Sequence, residues 1–359
     1  MYWDVKTVKA MPDYRIYVEV EDGRKGIFDL KPYLDKGVFC ELKEIHYFNQ
    51  VGIMFGAVTW PNEQDIAPET LLAEMLPIGT DFCPDTQYAK NVREESETYR
   101  ESKLINAAAI QFNVKQGDID ANLAYVRSAL RRVAGQGANL AVLPEMWSSG
   151  FAYRNLNELA QRTAGIVEEL LELSQELKLV VIGSMPEPHG QKVFNTTYVV
   201  DNGHLAGTYR KIHLFSLLGE DKAFSGGDAW LLADTSIGKI GVIICYDLRF
   251  PELSRRLALE GADVICVPAQ WPKPRQEHWR TFLRARAIEN QLFVVACNAC
   301  GPIGKLDFFG MSMIIDPQGE VVAEAGETEC EISAQLDMQA MADWRAQIPC
   351  FNDRRPELY

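Results

Sequence analysis

The chain has 359 residues, 47% of them hydrophobic and 24% charged, with a formal net charge of −14. The length predicts two domains and the composition a soluble globular protein. No block is basic, which excludes nucleic acid as a partner on electrostatic grounds, and no apolar run is long enough to make membrane spanning an expectation.

The first stretch, MYWDVKTVKAMPDY, shows no signal-peptide apolar region, and the eight cysteines are scattered, so a reducing, cytoplasmic setting is expected. Residues 1–80 read as a small α+β domain. YRIYVEV and KGIFDL alternate in polarity around Asp22-Gly23 and predict a hairpin. KPYLDKGVFCELKEIHYFNQ reads as short helices or turns, with Cys40 and His46 as packing residues. GAVTWP reads as a third strand and APETLLAEML as a closing helix with Pro68 at its start. Residues 81–102, almost free of aliphatic side chains, predict a polar linker.

From 103 to 359 the texture changes. LINAAAIQF, NLAVLPE, VVIGSM, GKIGVIICYD, ADVICVPAQ and QLFVVACNA are apolar runs of strand length. IDANLAYVRSALRRVAGQGA, EELLELSQELKL and LSRRLALEGAD carry helical periodicity. KVFNTTYVVDNGHLAGTYRK and FGMSMIIDPQGEVVAEAG read as hairpins, the first turning at Asn202-Gly203. The fold class expected is α/β, with helices outside two stacked sheets.

Three strand-ending segments then deliver polar residues, where α/β proteins gather function. NLAVLPEMW delivers Glu145, GTYRKIHLF delivers Lys211, and GVIICYDLRFPE delivers Cys245. Taken singly, Glu145 suits a helix cap, Lys211 a solvated strand end and Cys245 plain packing. A thiol at a strand-to-helix turn, however, sits beside free backbone N–H groups that favour a thiolate and can hold an oxyanion. The carboxylate and the ammonium supply the proton carrier and the charge stabiliser that such a nucleophile needs. Cys297 and Cys300 have redox-motif spacing but no second ligand pair, so no metal site is expected.

LPEMW, YRKIHLF and CYDLRFPE, in that order and followed by ARAIENQLFVV, GMSMIIDPQGEV and DRRPELY, resemble the nitrilase superfamily of carbon–nitrogen hydrolases over residues 104–359. The resemblance implies an α-β-β-α sandwich, assembly as a homodimer or higher homo-oligomer, a Glu-Lys-Cys triad, and no metal or organic cofactor. Carried onto this chain, it makes Cys245 the nucleophile and Glu145 the general base and later the acid. Lys211 and the backbone N–H of Tyr246 would hold the oxyanion. Glu220, eight residues before Asp228 in GEDKAFSGGD, takes the place of the family's second glutamate, although Gly226 stands where the family has Pro. It would orient Lys211 and the substrate amide. Residues 12–71 resemble an uncharacterised small bacterial domain family, which marks a boundary rather than an activity.

Within the superfamily, CYDLRFPE with PAQWPKPRQEHWRTFLRARAIENQ is most similar to the omega-amidase branch, whose members act on 2-oxoglutaramate or 2-oxosuccinamate. Such small-molecule amides carry a far carboxylate, which a guanidinium suits. Arg275 is the candidate, unless it pairs with Glu277 or sits at a dimer edge. Trp271, Phe151 and His278 are candidate pocket walls, and Arg249 with Glu252 is expected to form an ion pair fixing the turn. Two alternatives stay open. One is an amidase for an N-carbamoyl amino acid or an aliphatic amide. The other is a non-catalytic binding or regulatory protein, against which the intact Glu-Lys-Cys set argues.

Overall fold

The computed structural model describes residues 4–77 and 104–358, apart from positions 12, 13, 55, 63, 304, 356 and 357. The segment 81–102, expected to be a linker, lies outside the described residues. The chain divides into two compact units, with the boundary at Tyr99–Arg100.

In the first unit, β1 (Val5–Met11), β2 (Arg15–Val20) and β3 (Lys25–Asp29) form an antiparallel sheet closed by β7 (Leu76–Pro77). The β2–β3 hairpin turns where Asp22-Gly23 predicts it, with Gly23 at φ 89° and Asp22 Oδ1 accepting from the Arg24 backbone N–H. The sequence reading contains no strand at Val5–Met11, because a register shift between Val5 and Thr7 interrupts the alternation. One-turn helix α1 (Ile45–Phe48) precedes the small sheet β4 (Gly52–Met54), β5 (Ala57–Thr59) and β6 (Asp65–Ile66), and α2 (Pro68–Glu74) starts on its proline. Ile16, Val18, Phe28, Leu30, Trp60 and Leu71 form the core, and Trp60 Nε1 donates to the Phe48 carbonyl at 2.8 Å. Cys40 is exposed rather than packed, since the 3-10 turn carrying it buries only Leu42. The His46 side chain lies outside the described residues.

The second unit is built on two six-stranded sheets. One has the order β12 (His204–Arg210), β11 (Lys192–Asp201), β10 (Val180–His189), β9 (Leu140–Val142), β8 (Leu104–Gln111), β21 (Cys330–Asp337). The other has the order β13 (Leu232–Thr235), β14 (Gly238–Val242), β15 (Val264–Ala269), β16 (Phe293–Asn298), β19 (Met313–Ile315), β20 (Val321–Glu324). Helices α3 (Ile119–Gly135) and α5 (Thr163–Leu177) belong with the first sheet, and α7 (Pro251–Leu259) and α8 (Gln276–Asn290) with the second. The architecture is the expected α-β-β-α sandwich. Both faces of each sheet are covered, which is why strand segments such as AAAI are apolar throughout rather than alternating. The period of two survives in where the side chains go: Ala107, Ala109, Leu140 and Val142 face the inter-sheet core, while Ala108, Ile110 and Ala141 face the helices.

The Asn202-Gly203 turn joins β11 to β12 with both residues at positive φ, 45° and 85°. The short helices α4 (Leu156–Ala160) and α6 (Glu220–Ala223), the hairpin β17 (Cys300–Ile303)–β18 (Leu306–Phe309) and the C-terminal α9 (Met338–Gln347) complete the unit. That hairpin was not foreseen, because its residues, CGPI and LDFF, are too few and too mixed to show a period.

Candidate active site

Strands β9, β12 and β14 each end just before a polar residue, and the two sheets bring those ends together. Past β9, Pro144 leads into Glu145, which is fully buried. Its backbone is pinned by the Met146 N–H donating to Ser184 Oγ at 2.8 Å, with Met146 at φ 48°. Glu145 Oε1 accepts from Lys211 Nζ and from Asn195 Nδ2, each at 2.8 Å, and Oε2 accepts from the Gln270 backbone N–H at 3.0 Å. Lys211, just past β12, is also fully buried and donates to both oxygens of Glu220, at 2.8 and 3.0 Å. Its backbone is clamped between strands: the Lys211 N–H donates to Asn195 O and the Gly227 N–H to Lys211 O, both at 2.8 Å.

Gly227 is the reason the FSGGD stretch can lie so close. A Cβ there would stand 2.2 Å from the Arg210 carbonyl oxygen. Gly227→Ala is expected to cost on the order of 2–3 kcal/mol in a denaturant titration and to lower kcat by displacing Lys211. A variant that matches the parent in both would remove this reading of the glycine.

Cys245 begins a short 3-10 helix, Cys245–Arg249, three residues past the end of β14, with φ at 44°, a left-handed conformation that non-glycine residues seldom adopt. Its sulfur lies 3.8 Å from the Gln270 carbonyl oxygen. The Tyr246 N–H, in the first turn, has no acceptor within its own helix. Asp247 holds the turn in place. Fully buried, it accepts from the Ile244 N–H (2.9 Å), the Tyr209 hydroxyl (2.7 Å), the His213 N–H (3.0 Å) and lies 2.8 Å from His213 Nδ1. One carboxylate thereby ties the segment bearing Lys211 to the turn bearing Cys245.

The charges balance inside this cluster. Burial alone would push the Lys211 ammonium down, but Glu145 and Glu220 outweigh it and hold its pKa well above the ordinary lysine value. Glu220 is raised, by burial first and by Glu145, against the pull of Lys211. Cys245 is pushed well above an ordinary thiol, again by burial first and then by the Glu145 charge, with Lys211 opposing. The direction runs against the thiolate expected from the helix end: desolvation and the Glu145 carboxylate oppose the charged sulfur more than a short 3-10 turn favours it.

Residues 106–346 match the model of the carbon–nitrogen hydrolase family. The chain belongs to that family. This carbon–nitrogen hydrolase acts on carbon–nitrogen bonds other than peptide bonds, in the nitrilase superfamily. Over 255 residues it is 38% identical to the 2-oxoglutaramate amidase of Bacillus subtilis (strain 168), covering 70% of this chain and 98% of that protein. The crystal structure of Saccharomyces cerevisiae Nit3, a member of branch 10 of the nitrilase superfamily, is similar with a TM-score of 0.66 and 30% identity over 70% of this chain and 97% of that one. A mutant amidase from Nesterenkonia sp. AN1 (TM-score 0.64, 25% identity, 72% of this chain and 96% of that one) shows covalent addition of the acetamide moiety of fluoroacetamide at its active-site cysteine. Residues 5–76 of the hydrolase match a separate family described as a protein of unknown function, DUF2442.

The hydrolase's cysteine opens onto a cavity of about 380 Å³. Glu220, Cys245, Tyr246, Trp271, Phe151 and Arg275 line it, as the sequence reading expects of pocket residues. Glu145 and Lys211 stand directly behind, neither capping a helix nor solvated. His278 is the exception. It is exposed and outside the lining, because the first turn of α8 points it at Arg249, whose Nη2 is 3.3 Å from His278 Nδ1. Arg249 and Glu252 make no ion pair. The Arg249 guanidinium instead lies 4.9 Å from the Trp271 ring and 5.3 Å from Phe282, lining the cavity itself. Arg275 does not pair with Glu277. It lies 5.7 Å from the Phe215 ring, and neither arginine has a carboxylate partner among the described residues. Lys305, Gln116, Gln270 and Tyr153 add to the polar lining. Sequence reasoning missed Asn195, Asp247 and Gln270. Asp247 and Gln270 had a signal, their places inside CYDLRFPE and PAQWPKPRQEHW; Asn195 had none.

Proposed function

We propose that this protein hydrolyses the terminal amide of a small carboxylate-bearing substrate of the 2-oxoglutaramate or 2-oxosuccinamate type, through a thioester on Cys245. One observation carries the substrate class. In a chain of net charge −14, the cavity beside Cys245 is lined by Arg249, Arg275 and Lys305, while its acid, Glu220, is already held by Lys211. A cavity of positive sign suits an anionic substrate. The activity for which the Bacillus subtilis relative is named and the covalent cysteine adduct of the Nesterenkonia enzyme support the same reading.

The mechanism follows from the contacts. As the sulfur attacks the amide carbon, its proton passes to Glu145. The carbonyl oxygen becomes an oxyanion, held by Lys211 Nζ and the Tyr246 N–H. Glu145 returns the proton to the nitrogen, ammonia leaves and the thioester remains. A water then gives its proton to Glu145 and attacks the thioester, and the acid and the thiol are regenerated. The balance is amide plus water to carboxylate plus ammonia. Glu220 keeps Lys211 charged and aimed. The same reading expects a cytoplasmic enzyme that assembles as a homodimer or higher homo-oligomer. The first rests on its scattered thiols, the second on the family resemblance, and sedimentation tests the second.

The testing experiment is ammonia release from 2-oxoglutaramate, 2-oxosuccinamate, glutaramate, an N-carbamoyl amino acid and a simple nitrile. The oxo-acid amides are expected to turn over fastest. Arg275→Leu is expected to lower kcat/KM on them by about 10- to 100-fold, through KM, and to leave a neutral amide nearly unchanged. Equal loss on charged and neutral amides would remove Arg275 from carboxylate recognition.

A further inference from the structure

The cavity beside Cys245 carries its cations in two places. Arg249 lies on the nucleophile turn itself. The Arg275 guanidinium lies 5.7 Å from the Phe215 ring, and that ring lies 4.7 Å from the ring of Tyr246, next in the chain to Cys245. Both arginines therefore belong to the end of the cavity that holds the sulfur. Lys305 comes from elsewhere. It stands at the tip of the β17–β18 hairpin, beyond the paired residues Ile303 and Leu306.

The base of that hairpin is the end near the sulfur. The Gln270 carbonyl oxygen is 3.8 Å from Cys245 Sγ, Pro272 bridges to Phe308, and the Lys273 N–H donates to Asp307 O at 3.0 Å. Lys305 stands about 10 Å along the hairpin from Phe308, at the rise of a strand. Ile303, Leu306 and Phe308 line the cavity along that length, as does Leu218. Asn113 Nδ2 fastens the hairpin, donating to the Cys300 and Pro302 carbonyl oxygens at 3.0 and 3.1 Å. Lys305 is exposed and makes no ion pair among the described residues. The hairpin's own acid, Asp307, is taken by Lys273 Nζ at 3.2 Å. Apolar side chains leading to an uncommitted ammonium suit a polymethylene chain that ends in a carboxylate. The short oxo-acid amides have no such chain.

We propose that Lys305 is a second carboxylate station, and that the enzyme also hydrolyses ω-amides whose apolar chain is longer than that of glutaramate. This rests on amide hydrolysis at Cys245 and extends its substrate class. The balance is unchanged: the amide C–N bond breaks, water supplies the oxygen of the new carboxylate, and ammonia leaves.

The test measures kcat/KM along the series succinamate, glutaramate, adipamate and suberamate, with octanamide as the neutral match to suberamate, in wild type, Lys305→Met and Lys305→Arg. Methionine keeps much of the stem and drops the charge, and at an exposed tip it breaks no ion pair. Wild type is expected to turn over suberamate at least as well as glutaramate. Lys305→Met is expected to lower the suberamate value about five-fold or more while glutaramate and octanamide change by less than about two-fold, and Lys305→Arg to keep the suberamate value. A wild-type value that falls steadily past glutaramate would overturn the inference and leave the amidase reading standing. So would equal loss on glutaramate and suberamate in Lys305→Met, the mark of a general field, or loss on neither. Folded wild type that turns over none of this series and none of the panel overturns the amidase reading, and this inference with it.

Discussion

Cys245→Ala is expected to abolish ammonia release, by about 10⁴-fold or more, while leaving the fold intact. The thiol is buried and small, and alanine shares its β-carbon, so the loss is chemical and not structural. The conformation at this position allows a second check. Cys245 sits at φ 44°, which glycine adopts without cost. Cys245→Gly is therefore expected to be equally inactive yet more stable than Cys245→Ala, by on the order of 1 kcal/mol in denaturant. The raised thiol pKa adds a third. Because burial and the Glu145 charge push its pKa well above an ordinary thiol, alkylation of Cys245 by iodoacetamide is expected to keep accelerating with pH beyond the range where an exposed cysteine levels off. Ammonia release from Cys245→Ala above about one part in a hundred of wild type would end the thioester mechanism.

Lys211→Met is expected to have the second largest effect, on stability and activity together. The ammonium is fully buried between Glu145 and Glu220, so its removal leaves carboxylates facing each other without a cation. Breaking a buried ion pair from one side costs about 3–5 kcal/mol, and loss of an oxyanion donor lowers kcat by about 10²–10³. The pH dependence has a definite sign. Glu220 already has a folded pKa above its unfolded one, and losing Lys211 raises it further. A carboxyl with a raised folded pKa holds its proton more tightly in the native state. Its stabilisation is complete below the unfolded value and is lost as pH rises through the folded value. The stability deficit of Lys211→Met is thus expected to be smaller near about pH 5 than near about pH 8. In the parent, Lys211 works with the same sign in a higher window: its contribution is complete below the ordinary lysine range and is lost only as pH climbs through its raised folded value. Equal denaturation midpoints for the variant and the parent at both acidities would contradict the buried triad.

Much of this was legible in the chain itself. Short-range signals need only neighbours: the turns at Asp22-Gly23 and Asn202-Gly203, the proline start of α2, the apolar strands and the helical stripes all form where local chemistry puts them. Glu145, Lys211 and Cys245 were legible for a related reason, since each stands within three residues of the end of a strand, and strand ends meet at one edge of a sheet. The partners of Arg249 were not. Arg249 and Glu252 are three apart, the spacing of a local ion pair, but Trp271 and Phe282, from distant segments, present ring faces that take the guanidinium instead. His278 could not be placed either, because its direction depends on the phase of α8 against the second sheet. Asn195, Asp247 and Gln270 act through single atoms aimed across strands, and such aim leaves no period in a sequence. The sequence by itself determined most of the strands and helices and brought Glu145, Lys211 and Cys245 forward as candidates, because those follow from polarity and spacing along one chain. Only the tertiary structure decided the upward shift of the Cys245 thiol and, among the described residues, the want of a carboxylate partner for Arg249 and Arg275. Each of these depends on burial and on charges brought close by folding from far along the chain.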